Sequence, residues 1–202
     1  MHCTTLMERV DKMPLLDPGY FSDDELAALP FREIGKNVKI GKNSTFIGLE
    51  NISLGSNIRI DGNVTFAAAS GFISVGNYVH IGGLSHFSCS GGIEIGNYCT
   101  FSQGVRVYSA SDDYSGKTLT NPTTPASLRK EIRGLVEIQN HVIVGSGSVI
   151  LPKTTLHEGS AVGALSMINS DLKAWTIYAG VPAKRIRKRS RELLNLEWLE
   201  SN

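Results

Sequence analysis

The stretch GLVEIQNHVIVGSGSVILP, residues 134–152, sets one imidazole, His141, among small and branched aliphatic residues. Histidine is the side chain whose proton moves near neutral pH, so His141 is a candidate for the proton of an attacking amine or hydroxyl. The segment SASDDYSG, residues 109–116, supplies a second chemistry. A carboxylate at Asp112, with Asp113 beside it, can hold an ammonium group, orient a histidine or bind hydroxyls. The same pair reads equally well as an Asx-type turn, since Asp beside Ser and Gly favours one. Tyr114 and Asn121 add weaker candidates for substrate contact. His80, His86 and Arg106 complete the set of polar residues that a rigid framework could bring into play.

That framework is written as a repeat. Between residues 34 and 107 the chain advances in six-residue steps: IGKNVK IGKNST F, LGSNIR IDGNVT F, VGNYVH IGGLSH F, IGNYCT FSQGVR V. The register resumes at Ile138, Val144, Ile150, Leu156, Val162 and Ile168. Such self-similarity marks a solenoid, in which each turn covers the apolar face of the last. The period does not fit an α-helix. Three short sides per turn make a triangular prism with turns about 4.8 Å apart. Equivalent residues then stack, with Phe46, Phe66 and Phe87 in one ladder and Ile40, Ile60, Ile81 and Phe101 in another.

First and fifth places of each step point inward. This makes Cys99, in line with Val38, Ile58, Val79 and Val142, a small buried thiol, and Ser85 and Ser148 interior fillers. Sixth places, which include His80, His86 and Arg106, are read as polar corners, with His86 and Arg106 in one column. His141 is a fourth-place residue, equivalent to Asn57, Tyr78 and Tyr98, and points out of the prism.

The run of aliphatic–Gly–x–x–small–x units resembles the hexapeptide-repeat acyltransferases over residues 34–186. The resemblance implies a mainly β protein: a left-handed parallel β-helix that assembles as a homotrimer with active sites between subunits. His80, His86 and Arg106 then become candidates for a substrate wall. The C-terminal GSGSVILPKTTLHEGSAVGALSMINSDLKAWTIYAGVPAKRIRKR resembles the acyl-CoA-binding end of that family. There Gly145, Ser146, Gly163 and Ala164 would let an extended pantetheine approach exposed amides, with Lys184 and Arg185 at its phosphates. SASDDYSG together with FSDDELAALPFREIGKNVKIG resembles the dTDP-4-amino-4,6-dideoxyglucose N-acetyltransferase group. The implied reaction is direct attack of a nucleotide-linked amino sugar on acetyl-CoA in surface polysaccharide synthesis. Catalytic roles fall to His141 and Asp112, and substrate contacts to Asp113, Tyr114 and Asn121 as well as the sixth-place residues.

Sugar O-acetylation of the galactoside or maltose type is the nearest alternative. Those relatives use a loop histidine, and residues 108–134 here contain none. A carbonic anhydrase on the same fold would need convincing zinc spacing around His80 and His86, and a non-catalytic scaffold would not need so long a polar loop; no metal is expected.

The remaining segments divide the chain. Residues 1–33 form an N-terminal segment with a short helix at SDDELAAL, where Ser22 and Glu25 make a capping box. The β-helix spans 34–185, interrupted by the polar insertion 108–134, too long for a passive connection. Residues 186–202 read as a terminal helix offering Leu193, Leu194, Leu196 and Trp198 for packing. With 20 Lys and Arg against 19 Asp and Glu, bulk charge gives no reason to expect a nucleic-acid partner. Three cysteines without a C-x-x-C pair suggest neither disulfides nor zinc. The lack of a long apolar run suggests a cytoplasmic chain outside the membrane.

Overall fold

A computed structural model describes residues 18–196. The six-residue register becomes a three-sided coil of short parallel strands. The first face stacks Glu33–Ile34, Ile52–Leu54, Ile73–Val75, Ile93–Ile95, Val136–Ile138 and Thr155–Leu156. The second stacks Val38–Ile40, Ile58–Ile60, His80–Ile81, Thr100–Phe101, Ile143–Val144, Ala161–Val162 and Thr176–Ala179. The third stacks Thr45–Ile47, Thr65–Ala67, His86–Ser88, Arg106–Tyr108, Val149–Ile150 and Met167–Ile168.

First and fifth places fill the interior. Ile60, Ile81, Phe101, Val142 and Cys99 are buried, as are Ser85 and Ser148. The serines are satisfied where they lie: Ser85 Oγ donates to the Gly82 carbonyl at 2.7 Å and Ser148 Oγ to that of Gly163 at 3.1 Å. Burial pushes the Cys99 thiol up to about 12, which leaves it inert as a nucleophile. The phenylalanine ladder runs Phe46–Phe66–Phe87 with edge-to-face centroids 5.0 and 4.9 Å apart.

The edges differ from the sequence reading. Sixth-place residues lie in strands on the flat faces; the edges are made by second to fourth places. The reason is backbone direction: a turn of about 120° needs a left-handed residue, and the fourth place takes it. Along the edge between first and second faces that residue is Asn37, Asn57, Tyr78, Tyr98, His141, Gly159 and Trp175, with φ between 50° and 65°. Side chains recover the cost by stacking on one another. Asn37 Nδ2 donates to Asn57 Oδ1 at 2.8 Å, and the rings of Tyr78, Tyr98 and His141 lie parallel at 5.1 and 5.0 Å. One place earlier, Asn77, Asn97 and Asn140 each accept the amide of the coil before at 2.7–2.8 Å.

Two appendages matter. The insertion is an arm rooted at the third–first edge: Ala110–Asp112 pairs antiparallel with Glu131–Arg133, and the Gly134 amide donates to the Ser109 carbonyl at 3.0 Å. The expected helix from Ile186 is absent from the described residues. Lys184–Lys188 is instead a strand, antiparallel to Thr176–Ala179, followed by a single 3-10 turn at Glu192–Asn195. The last coil leaves an open sheet edge, and pairing satisfies its amides. A helix would have crowded Lys184, Arg185, Arg187, Lys188 and Arg189 onto adjacent turns, like charge upon like. Trp198 and residues 1–17 lie outside the described residues. At the other end, the short helix Asp23–Ala27 has both hydrogen bonds of its capping box, Glu25 N–H to Ser22 Oγ and Ser22 N–H to Glu25 Oε2.

Candidate active site

The third face carries His86 and Arg106 as direct register partners, with Tyr108 beside them, its ring 5.9 Å from that of His86. Arg106 is exposed, and His86 is half-buried. Burial, then the Arg106 charge, holds the His86 pKa below its ordinary value, so its imidazole is neutral at pH 7. Two residues past Tyr108 the arm begins, bringing Asp112, Asp113 and Tyr114 around one hollow with Gly116, Thr118 and Thr120. The two aspartates do different things. Asp113 closes an Asx turn, accepting from Ser115 N–H at 2.8 Å, Ser115 Oγ at 2.9 Å and Thr118 Oγ1 at 3.2 Å; these bonds lower its pKa. Asp112 is exposed and, among the described residues, nothing donates to its carboxylate. It stands across the strand pair from Glu131, itself held by Arg133 at 2.6 Å. Asn121 turns back on its own loop, accepting from Thr123.

Gly145, Ser146, Gly163 and Ala164 occupy the edge between second and third faces, on successive coils. Gly145 is glycine because a Cβ there would come within 2.5 Å of the Ala164 nitrogen. The amides of Gly145 and Gly163 are used, each donating at 2.8 Å to the next coil. Those of Ser146 and Ala164 meet no acceptor among the described residues. Two free N–H groups one coil apart suit an extended chain with its own carbonyls. Lys184 is paired with Ala179 just above this edge, whereas Arg185 is paired with Tyr178 and lines a separate cavity at the C-terminal end of the prism.

His80 and His141 lie elsewhere. His80, on the second face, is bound through Nε2 to Asp61 at 2.9 Å, and Asp61 also accepts from Arg59 at 2.7 Å. His141 stands on the first–second edge, away from the arm within one chain. Its carbonyl accepts from Arg189 Nη1 at 2.7 Å, but neither ring nitrogen meets a partner among the described residues. Burial lowers its pKa, Glu158 opposes and Arg189 assists. His86 and Arg106 thus share the third face, with the arm rooted at one of its edges and the small-residue positions at the other, whereas His80 lies on the second face and His141 on the first–second edge. The sequence reading missed Tyr108, whose place beside His86 follows from the register, and Glu131, whose pairing with Asp112 had no sequence signal.

Three parallel faces, a polar arm and an edge of free amides define the left-handed β-helix of the hexapeptide-repeat acyltransferases. No family model matches the chain. The dTDP-4-amino-4,6-dideoxy-D-glucose acyltransferase of Escherichia coli is 41% identical over 178 residues, covering 88% of this chain and 93% of that protein. A variant of AntD, an N-acyltransferase from Bacillus cereus, in complex with dTDP-4-amino-4,6-dideoxyglucose and coenzyme A, superposes with a TM-score of 0.88 at 36% identity, covering 93% of this chain and 100% of that one. AntD in complex with dTDP and 3-hydroxybutyryl-CoA gives 0.86 at 37%, covering 91% and 97%. The chain is an acyltransferase and belongs to the family of the dTDP-4-amino-4,6-dideoxy-D-glucose acyltransferases.

Proposed function

We propose that this enzyme transfers an acyl group from acyl-CoA to the 4-amino group of dTDP-4-amino-4,6-dideoxyglucose, in the cytoplasm and for surface polysaccharide synthesis. The observation that carries the reading is a relative of the same fold, matched along its whole length at 36% identity, holding both that sugar nucleotide and coenzyme A. The free Ser146 and Ala164 amides would receive the pantetheine carbonyls, with Lys184 nearest the phosphates. Asp112, unpaired in the hollow of the arm, would hold the sugar's ammonium form, take one of its protons and pass it to solvent, so that the neutral amine attacks. Arg106 and His86 would form the wall beneath, with Tyr114 and Asn121 further out along the arm.

In the reaction the amine nitrogen bonds to the thioester carbonyl carbon and the C–S bond breaks. The oxyanion is stabilised by N–H donors, and the proton lost by nitrogen ends on the departing thiolate. A neutral imidazole can carry that proton. His141 has free ring nitrogens and a lowered pKa, and would meet the arm from a neighbouring chain. The functional unit in this reading is therefore a homotrimer whose clefts lie between subunits. Acetyl-CoA is the simplest donor, and the 3-hydroxybutyryl thioester bound by AntD makes acyl length the first variable to scan.

The test is thiol release from acyl-CoA with dTDP-4-amino-4,6-dideoxyglucose and with its 4-hydroxyl analogue, comparing the native enzyme with His141→Asn. Turnover confined to the amine supports N-acylation; turnover confined to the hydroxyl replaces it with O-acylation. A fall of about a hundredfold in kcat for the variant keeps His141 in the proton path. An unchanged kcat removes it and leaves the thiolate as the proton's acceptor.

A further inference from the structure

The C-terminal end of the prism holds a cavity of about 690 Å³ that the acyl-transfer chemistry does not use. It is lined by Lys173, Arg185, Lys188, Arg189 and Arg191 around Trp175 and Tyr178. The chain as a whole carries a net charge of +1, yet KRIRKRSR, residues 184–191, places six cations in eight positions. Among the described residues no carboxylate forms an ion pair with any of the five cations that line the cavity. Like charges gathered without ion-pair partners among the described residues repel one another, and a fold that holds them together on a strand pair is poised for an anion.

The cations are also positioned. Thr176 lies opposite Lys188 and Tyr178 opposite Arg185, so both basic side chains share the inward face of the terminal strand pair. Trp175 is 5% exposed, with the guanidinium of Arg189 at 5.9 Å and that of Arg191 at 5.4 Å over its ring. The indole is thus covered by the arginines and orders them; it is not offered to a ligand's ring. Arg189 is further fixed by its bonds to the His141 and Gly159 carbonyls at 2.7 and 3.0 Å. What is left for a ligand is charge and forked N–H donors, the chemistry that recognises phosphate.

We propose that this end cavity is a binding site for a phosphate-bearing anion, separate from the amide edge at Ser146 and Ala164. It does not rest on the acyl-transfer reading. Two sources share the chemistry, a soluble diphosphate and an anionic lipid headgroup, and the experiment separates them.

The full-length chain carrying Trp198→Phe, so that Trp175 is its single indole, is titrated with pyrophosphate at constant ionic strength, by fluorescence and by calorimetry. The variant Lys188→Gln/Arg191→Gln, both exposed positions, is titrated alongside. Sedimentation with phosphatidylglycerol and with phosphatidylcholine vesicles completes the set. Saturable pyrophosphate binding that weakens at least tenfold in the double variant, with the KM for acyl-CoA unchanged, supports a soluble phosphate as ligand. Sedimentation with phosphatidylglycerol alone, lost in the double variant, supports a headgroup. The proposal falls if neither pyrophosphate nor vesicles bind, if binding survives the double substitution undiminished, or if pyrophosphate and acyl-CoA exclude each other one for one.

Discussion

His141 shows how one residue can serve two demands at once. Its backbone sits at φ 60°, a conformation that costs a non-glycine residue about 1–2 kcal/mol, and its ring recovers part of that on Tyr98. Burial keeps the ring neutral, as it does for His86. Both pKa values are depressed on folding. Their stabilisation is therefore complete above the unfolded value of 6.5 and is lost as pH falls through the lower folded values. Thermal melts are expected to show a fall in Tm between pH 7 and pH 5, and His86→Gln with His141→Asn should flatten it. An undiminished slope would mean that other groups titrate there. Asn is the fitting replacement at position 141 because Asn37 and Asn57 already hold that conformation in the same column. The sequence could say which places face inward, since volume and polarity alone decide that for Cys99, Ser85 and Ser148. It could not say that His80 lies on a face with its Nε2 bound to Asp61, because that pairing depends on two coils meeting edge to edge.

The arm and the terminal strand show the same limit among elements. The repeat made the coils legible, and the break in the repeat made the arm legible as an insertion, but not as a paired hairpin. Its independence from the core has a geometric basis. Tyr108 is level with Ser88 and Val136 with Ile93, so the arm replaces a corner that elsewhere is Cys89–Ser90–Gly91–Gly92. Excising residues 111–133 leaves Ser109–Ala110–Gly134–Leu135, a corner of the same length. Leu135→Gly supplies the left-handed residue that Gly92 provides at φ 88°. The shortened chain is expected to melt within a few degrees of the full one, a change of about 1 kcal/mol. If the arm holds the substrate as proposed, the shortened chain should lose about a hundredfold or more in turnover. A chain that unfolds would show the arm to be part of the core. The terminal strand was misread as a helix because its partner is an edge that exists only once the last coil has formed.

For the whole molecule the unanswered demand is the edge between second and third faces. Leu84 is 66% exposed and Leu165 73%, each in a left-handed conformation, and Val181 nearby is 70% exposed. A leucine at φ 64° or 55° is costly, and exposing it to water adds to the cost. A second copy covering this edge would offset both, and would bring a neighbour's residues to the free amides of Ser146 and Ala164. Leu84→Asp with Leu165→Asp tests this within one chain's fold, since Asp tolerates the left-handed region and neither side chain reaches the core. Light scattering is expected to show the native enzyme as a trimer and the double variant as a monomer with an unchanged circular dichroism spectrum. Acyl transfer should fall with the trimer, because the arm of one chain would lose the neighbour that completes its cleft. A double variant that keeps both its assembly and its turnover would show the edge to be free. A native enzyme that is monomeric and active would put the whole cleft within one chain, and His141, on a different edge from the arm that carries Asp112, would then have no place in the proton path.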